Sequence, residues 1–406
     1  MFYRQPAYFR DFRCIGGTCQ NSCCIGWVID WRTEEIDKVK NALGCSEELR
    51  ALCESKFEPN GDKYMVKLNE DGRCPFLTED NFCRIQRELG AECLSDTCSI
   101  YPRHYIVTDN AAYRYCNMSC PEVIKKLLND PKSMDLVNFP IKGMVTIKGA
   151  LKNTPENLAQ NPALKFREEL LEFFYEIIAD KKHDVETSII LGALAAQKLS
   201  QVAEKGADGI PAAILAIRPQ LHNGAQLKQI EAIKPNYNVK LGFAAEMMRQ
   251  ILHSNSVGSL ADSTGRLNID LYRAGEQRLV REFADRDFFM RNICLNLLLE
   301  FALPFKFSDR TIFENYSMFA AAFAMMKLDM ISTAEGAERL SNSRFQSTGD
   351  IKLHFSVKVD TESFVRGAAA TISRALCHNN ANAQMLLKGL AAYKMTTPAY
   401  IALLIK

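Results

Sequence analysis

The chain has 406 residues and is nearly balanced in charge, with 50 Lys and Arg against 48 Asp and Glu and a formal net charge of +2. That balance offers no concentrated positive face for nucleic acid. Apolar residues make up 47% and charged residues 24%, ordinary for a soluble globular protein, and the length suffices for two or three cores. The start, Met1-Phe2-Tyr3-Arg4-Gln5-Pro6, lacks the charged-then-apolar order of a signal peptide. The longest apolar runs, such as Met318 to Met326, fall far short of the roughly 20 residues that span a bilayer. A cytoplasmic protein without transmembrane segments is expected.

Along the chain, residues 1–128 read as a small irregular unit rich in Cys, Gly, Asp and Asn. Thr33 to Leu43 predicts a helix with Thr33 as its N-cap and Ile36, Val39 and Leu43 on one face. Tyr64 to Leu68 alternates like a strand. Such a unit buries little apolar surface, so metal ligation is expected to supply folding energy that its core does not. Residues 129–162 are polar and broken by Pro131, Pro140 and Pro155, with Pro162 ending the unit on its far side, which predicts a linker or irregular connection. From 163 to 406 the spacing turns helical. The stripe Leu164, Leu170, Leu171, Phe174, Ile177 and Ile178 is followed by helical patterns over Ile189–Val202, Val239–Leu252, Glu276–Ala302, Arg310–Ile331, Ser363–Cys377 and Ala383–Lys394. One segment, Lys352 to Val357, alternates like a strand. No fixed period recurs, so a regular solenoid is not supported. The fold class is mainly α: a cysteine-rich amino-terminal unit followed by an all-α body suited to docking a protein substrate.

The cysteines carry the chemistry. Twelve of the fourteen fall at or before Cys120. They run as Cys14-x4-Cys19-x3-Cys23-Cys24-Ile25-Gly26-Trp27, then Cys74-Pro75-Phe76-Leu77 and Cys83, then Cys93-x4-Cys98-Ser99-Ile100-Tyr101-Pro102-Arg103, then Cys116-x3-Cys120-Pro121. In a reducing compartment such clustering points to metal ligation rather than disulfides. Gly16 and Gly17 supply the backbone freedom that a turn between the first two thiols needs. Cys14, Cys19, Cys23, Cys24, Cys74, Cys83, Cys93, Cys98, Cys116 and Cys120 form the ligand pool. Ten thiols exceed one four-cysteine site, and a cluster plus a structural metal is arithmetically possible. Neighbouring side chains diverge, so one of Cys23 and Cys24 ligates while the other packs or serves a second centre. The spacing leaves iron–sulfur and zinc both open: no Cys-x2-Cys pair marks a zinc site, His104 is the one histidine in the region, and an all-sulfur set fits iron–sulfur ligation.

The remaining cysteines, Cys45, Cys53, Cys294 and Cys377, read as ordinary thiols or small core residues. Trp27 and Trp31 read as shields for the centre. His183, His222, His253, His354 and His378 show no pattern with carboxylates or nucleophiles. Met247-Met248 and Met325-Met326 read as core filler. Dinucleotide, phosphate-loop and hydrolase-elbow motifs are missing, as is the Cys-x3-Cys-x2-Cys spacing of radical S-adenosylmethionine chemistry.

The opening pattern Tyr8-x3-Phe12-x-Cys14-x4-Cys19-x3-Cys23-Cys24-x-Gly26-Trp27 resembles the start of the flagellin lysine-N-methylase family, FliB. The later Cys74-Pro75-Phe76-Leu77, Cys83, Cys98-x2-Tyr101-Pro102-Arg103 and Cys116-x3-Cys120-Pro121 resemble it in order. The cysteine groups are also similar to a broader class of zinc- or iron-chelating domains, with looser spacing. The resemblance implies methyl transfer from S-adenosylmethionine to lysine side chains of flagellin and a four-iron cluster (4Fe–4S) drawn from the ten motif cysteines. Tyr101 and Glu122, which flank cysteines, are the candidates for orienting and deprotonating the lysine. The rival readings are a non-catalytic zinc or iron carrier and a zinc-stapled interaction module.

Overall fold

The computed structural model describes residues 2–19, 22–26, 28–141, 150–253, 257–262, 266–343 and 361–406. Trp27 and the strand expected over 352–357 lie outside the described residues. The architecture is mainly helical, with two small sheets near the amino terminus. The strands are β1 (Phe2–Pro6), β2 (Asp30–Trp31), β3 (Phe57–Asn60), β4 (Lys63–Val66), β5 (Arg103–Val107), β6 (Ala111–Cys116), β7 (Leu136–Pro140) and β8 (Leu151–Lys152).

Two apolar cores divide the chain differently from a cut at residue 128. The smaller joins Trp31, Ile36, Val39, Leu49, Cys53, Val66, Phe76, Ile85, Leu89 and Cys93. Around it lie the antiparallel sheet β2-β4-β3 and the helices Thr33–Lys40 and Glu47–Ser55. Trp31, Phe57 and Phe76 stack at its centre, with ring centroids 5.3 Å (Trp31–Phe57) and 5.7 Å (Phe57–Phe76) apart. The helix foreseen from Thr33 begins there, but Thr33 is its first turn rather than its cap. Arg32 stands at the cap, and Glu35 accepts its backbone N–H at 2.7 Å.

The larger core takes in both flanks of the cysteine-rich region together with the helical body. It includes Tyr8, Phe12, Ile106, Tyr113, Cys116, Val123 and Leu127 beside the body helices. A five-stranded sheet of order β7-β1-β6-β5-β8 carries these flanks. In it β1 lies parallel to β6 with Tyr3 opposite Ala112, and β5 and β6 form an antiparallel hairpin with Arg103 opposite Cys116. Thr108 closes the hairpin: its hydroxyl accepts the Ala111 N–H at 3.1 Å and its own N–H reaches the Ala111 carbonyl at 2.9 Å. The segment 129–162, expected as a linker or irregular connection, places β7 antiparallel to β1 along five residues and β8 against β5. Its polarity is that of edge strands, which need only one apolar neighbour.

In the body, the helices Arg167–Ala179, Val185–Lys205, Tyr237–Leu252, Ile312–Ser343, Thr361–Cys377 and Asn380–Ala392 follow the expected stripes. The pattern over Glu276–Ala302 resolves into two helices, Ile269–Glu282 and Phe289–Glu300. Phe283 and Phe289 stack across the break at 4.5 Å, on either side of the charged turn Asp285-Arg286-Asp287, which carries no Gly or Pro signal. The helix Phe289–Glu300 fixes the amino-terminal sheet to the body. Asn292 donates to the Leu127 and Asp130 carbonyls and to Ser133 Oγ, each at 3.0 Å. Asn296 donates to the Cys116 carbonyl at 3.1 Å and accepts the Tyr8 hydroxyl at 2.7 Å.

Candidate functional site

All fourteen cysteines are present as thiols. Four of them, Cys24, Cys74, Cys83 and Cys98, line one cavity walled by Trp31, Phe76 and other apolar side chains. Short backbone links bring them there. The Cys74 N–H donates to the Cys24 carbonyl at 2.8 Å, and Ile25 bridges Arg73. A second bridge, Leu77 to Cys83, closes the turn that leads into the helix Arg84–Leu89. Ser95 caps the helix Asp96–Ile100 by accepting the Cys98 N–H at 3.1 Å. The cavity holds about 30 Å³, the space of one or two water-sized bodies.

Electrostatics at this inner set pull in opposite directions. Burial pushes the thiols of Cys74 and Cys98 up to about 12 and raises that of Cys83. Against burial, the Phe76 amide points at the Cys74 sulfur, and the Gln86 and Ile85 amides point at Cys83. Donors aimed at sulfur favour the thiolate that burial disfavours, and a bound cation resolves the conflict. Cys24 is drawn down to about 7 because the Cys23 thiol donates to it.

A second, outer set gathers beside the first. The Cys120 thiol senses the charges of Cys19 and Cys14, and Cys23 senses that of Cys14. Cys120 caps the helix Pro121–Asn129, where the Glu122 and Val123 amides face its sulfur while burial holds it near 12. The turn between Cys14 and Cys19 requires glycine twice. Gly16 has φ +57°, and a Cβ on Gly17 would stand 2.5 Å from the Asp80 carbonyl oxygen. The Gly16 N–H points at the Cys14 sulfur at 3.4 Å. A cleft of about 450 Å³ opens next to this set, bordered by Cys19, Glu122, Lys125, Ser363 and Arg366.

From the other side a polar chain reaches the outer set. Tyr101, which senses Cys120 and Cys23, hydrogen-bonds through its hydroxyl to Ser119 Oγ at 3.0 Å. Ser119 Oγ lies 2.8 Å from His378 Nε2, which also meets Asn117 Oδ1 at 3.2 Å. Ser373 Oγ is 2.7 Å from both Asn117 Oδ1 and Glu300 Oε2. Glu300 accepts the Met118 N–H at 2.5 Å and the Asn296 amide at 2.9 Å. Burial raises the Tyr101 phenol, lowers His378 to about 4 and lifts Glu300 to about 6. Burial also drops His104 to about 4, and its ring packs on Tyr115 and edge-on against His378. Near neutral pH both imidazoles are therefore uncharged, and His378 Nε2, facing the Asn117 Oδ1 acceptor, carries the ring proton.

The expected residues are thus distributed over distinct places. Eight of the ten pool cysteines fall into the two sets. Cys93 is packed in the small core and Cys116 in the large one. Tyr101 heads the polar chain, whereas Glu122 borders the cleft. Trp31 walls the inner cavity. Cys53 is buried in the small core and Cys294 in the body, as read from sequence. Cys377 hydrogen-bonds to Glu300. The sequence reading missed His378, Ser119, Asn117 and Glu300. No local spacing links a histidine on the helix-ending residue of 361–377 to a serine 259 positions earlier; only the buried polar atoms on two apolar helices hinted at them.

A cysteine-rich, amide-braced unit seated on a helical body is the class of protein that this geometry defines. Comparison with known proteins gives the family. The model described as the FliB lysine N-methylase C-terminal domain matches residues 171–404, more than half of the chain, and the chain belongs to that family. The match covers the helical body and leaves the cysteine sets outside it. The chain is 28% identical over 252 residues to the lysine-N-methylase of Salmonella typhimurium, covering 60% of this chain and 59% of that protein. The lysine-N-methylase of Salmonella choleraesuis matches to the same extent. The flagellar biosynthetic protein FliU of Salmonella muenchen is 36% identical over 138 residues, 32% of this chain and 80% of FliU. The chain thus spans 59% of the length of the two lysine-N-methylases. No solved structure matches it. Among the described residues no helix is long and apolar enough to cross a membrane.

Proposed function

We propose that this chain is a protein lysine N-methyltransferase that takes methyl groups from S-adenosylmethionine and places them on lysine side chains of flagellin, in the cytoplasm. Membership of the lysine N-methylase family carries the activity, and the flagellar name of one relative favours the substrate. The observation that carries the placement is the 450 Å³ cleft that opens beside Cys19 with Glu122 and Lys125 on its wall.

In this reading the cleft takes the target lysine and the donor, with Lys125 on its wall facing the donor's carboxylate. A lysine ammonium must shed its proton before its nitrogen forms a bond to the methyl carbon while the carbon–sulfur bond breaks. Glu122, on the wall of the cleft, is the group placed to take that proton and pass it to solvent. Tyr101 and the chain of Ser119, His378, Asn117, Ser373 and Glu300 behind it hold the thiol-bearing loops in register.

The donor chemistry of Cys14, Cys19, Cys23 and Cys120 fits a 4Fe–4S cluster: four thiols, an amide-braced sulfur at a helix start and an open cleft alongside. Held by all four thiols, such a cluster would leave no iron open to the donor and would supply a one-electron centre beside the cleft. The inner set is proposed as the zinc centre on its chemistry: four thiols in a closed, apolar pocket, the composition of a structural zinc site. The test is incubation of anaerobically prepared protein with flagellin and S-adenosylmethionine, with methylated lysines read by mass spectrometry and iron, sulfide and zinc counted per chain.

A further inference from the structure

Away from the cysteines, at the far end of the helix Arg167–Ala179, three side chains from separate turns converge. One ring nitrogen each of His183 and His222 and a carboxylate oxygen of Asp180 lie mutually within 4.8 Å. His183 Nε2 stands 3.4 Å from His222 Nδ1, and the other ring nitrogen of His222, Nε2, stands 3.6 Å from Asp180 Oδ2. One imidazole offers a given ion one nitrogen, so the convergence that counts is that of three ligand atoms, one per residue, within 4.8 Å. Two imidazole nitrogens that face each other at 3.4 Å need either a proton or a cation between them, because two lone pairs repel.

The surroundings brace the three groups. Lys182 donates its N–H to Asp180 Oδ1 at 2.9 Å, which leaves Oδ2 directed at His222. Arg291, from the helix Phe289–Glu300, donates to the Ile178 carbonyl at 2.5 Å and to the His183 carbonyl, and so pins the loop that carries two of the three. Asp180 caps the carboxyl end of a thirteen-residue helix, where exposed carbonyls favour positive charge. The nearby Arg218 is neutralised by Glu176 at 2.8 Å. A cleft of about 410 Å³ opens over the site, so water or another ligand can complete the shell.

We propose that Asp180, His183 and His222 form a binding site for a divalent transition ion of the imidazole-preferring kind, zinc above all, independent of the cysteine sets. Two nitrogens and one carboxylate oxygen fix three positions, and the cleft leaves the fourth open. Bound there, the ion clips the end of the helix Arg167–Ala179 to the turn Arg218–His222.

The test uses the full chain with its cysteine centres filled, dialysed against zinc and then counted for zinc per chain. Wild type is expected to hold one equivalent more than the double variant His183→Ala, His222→Ala, and to melt at higher temperature with added zinc where the variant does not. Asp180→Asn, which keeps the shape, is expected to weaken zinc binding about tenfold or more, by analogy with lost metal-site groups. With copper(II) as the probe, the wild-type spectrum is expected to show coupling to two ring nitrogens, lost in the double variant. Equal zinc counts in wild type and double variant, or a copper spectrum without nitrogen coupling, overturns the proposal.

Discussion

The small core of residues 29–98 and the helical body solve the same problem, burial, by different means. The body holds its fold through long apolar helices, and buried polar groups among them such as Asn292, Asn296 and Glu300 are hydrogen-bonded. The small unit has ten core side chains and sets four thiols against one cavity in its place. A domain of that size relies on ligation because its apolar surface cannot offset chain entropy alone. The outer thiols lie between the two, where the chain's chemistry is proposed.

Substitutions can separate these roles. The largest effect is expected from Cys74→Ser or Cys98→Ser, which should melt the small unit and strip its metal, read by calorimetry and zinc content; an unchanged transition would break the contrast with the body. Cys19→Ser and Cys120→Ser should instead remove iron and methyl transfer while the zinc count of the inner set stays. Next comes Glu122→Gln, expected to lower methyl transfer on the order of 100-fold, within the usual range for losing a general base. His378→Asn should instead alter stability with pH. His104 and His378 have folded values near 4 against 6.5 when unfolded, so between those limits the unfolded chain binds more protons and stability falls as pH drops. Removing one imidazole should flatten that decline in acid-melt profiles.

Glu300 works in the reverse sense. Its folded value near 6 exceeds the ordinary 4.5, so the native chain binds the extra proton and stability declines as pH rises across that window. Glu300→Gln should abolish this decline in melts across that window. The smallest effect is expected from Gly17→Ala, which presses a methyl on the Asp80 carbonyl and should cost about 1–3 kcal/mol in a denaturant melt.

The body was readable because its helices repeat apolar residues at the helical period over many turns. The β5–β6 hairpin was not, since Ala111, Ala112, Tyr113, Tyr115 and Cys116 are all buried and show no alternation. The break at Phe283–Phe289 was hidden because its turn, Asp285-Arg286-Asp287, has no Gly or Pro and reads like one polar turn of a continuing helix. The cysteine pool was visible in the spacing, but its division was not: the two sets interleave, with Cys24 on the inner cavity and Cys23 beside Cys14. His378 and His222 are joined to their partners only by tertiary packing across tens to hundreds of residues, which leaves no local trace.

The central claim is that the outer thiols and the cleft beside them together methylate lysine. It is tested most directly by mass spectrometry of flagellin after exposure to S-adenosylmethionine and iron-loaded, oxygen-protected protein, side by side with Cys120→Ser. The account predicts methylated lysines with the intact chain and none with the variant. Equal methylation by both, or none with the iron-loaded intact chain, would contradict it.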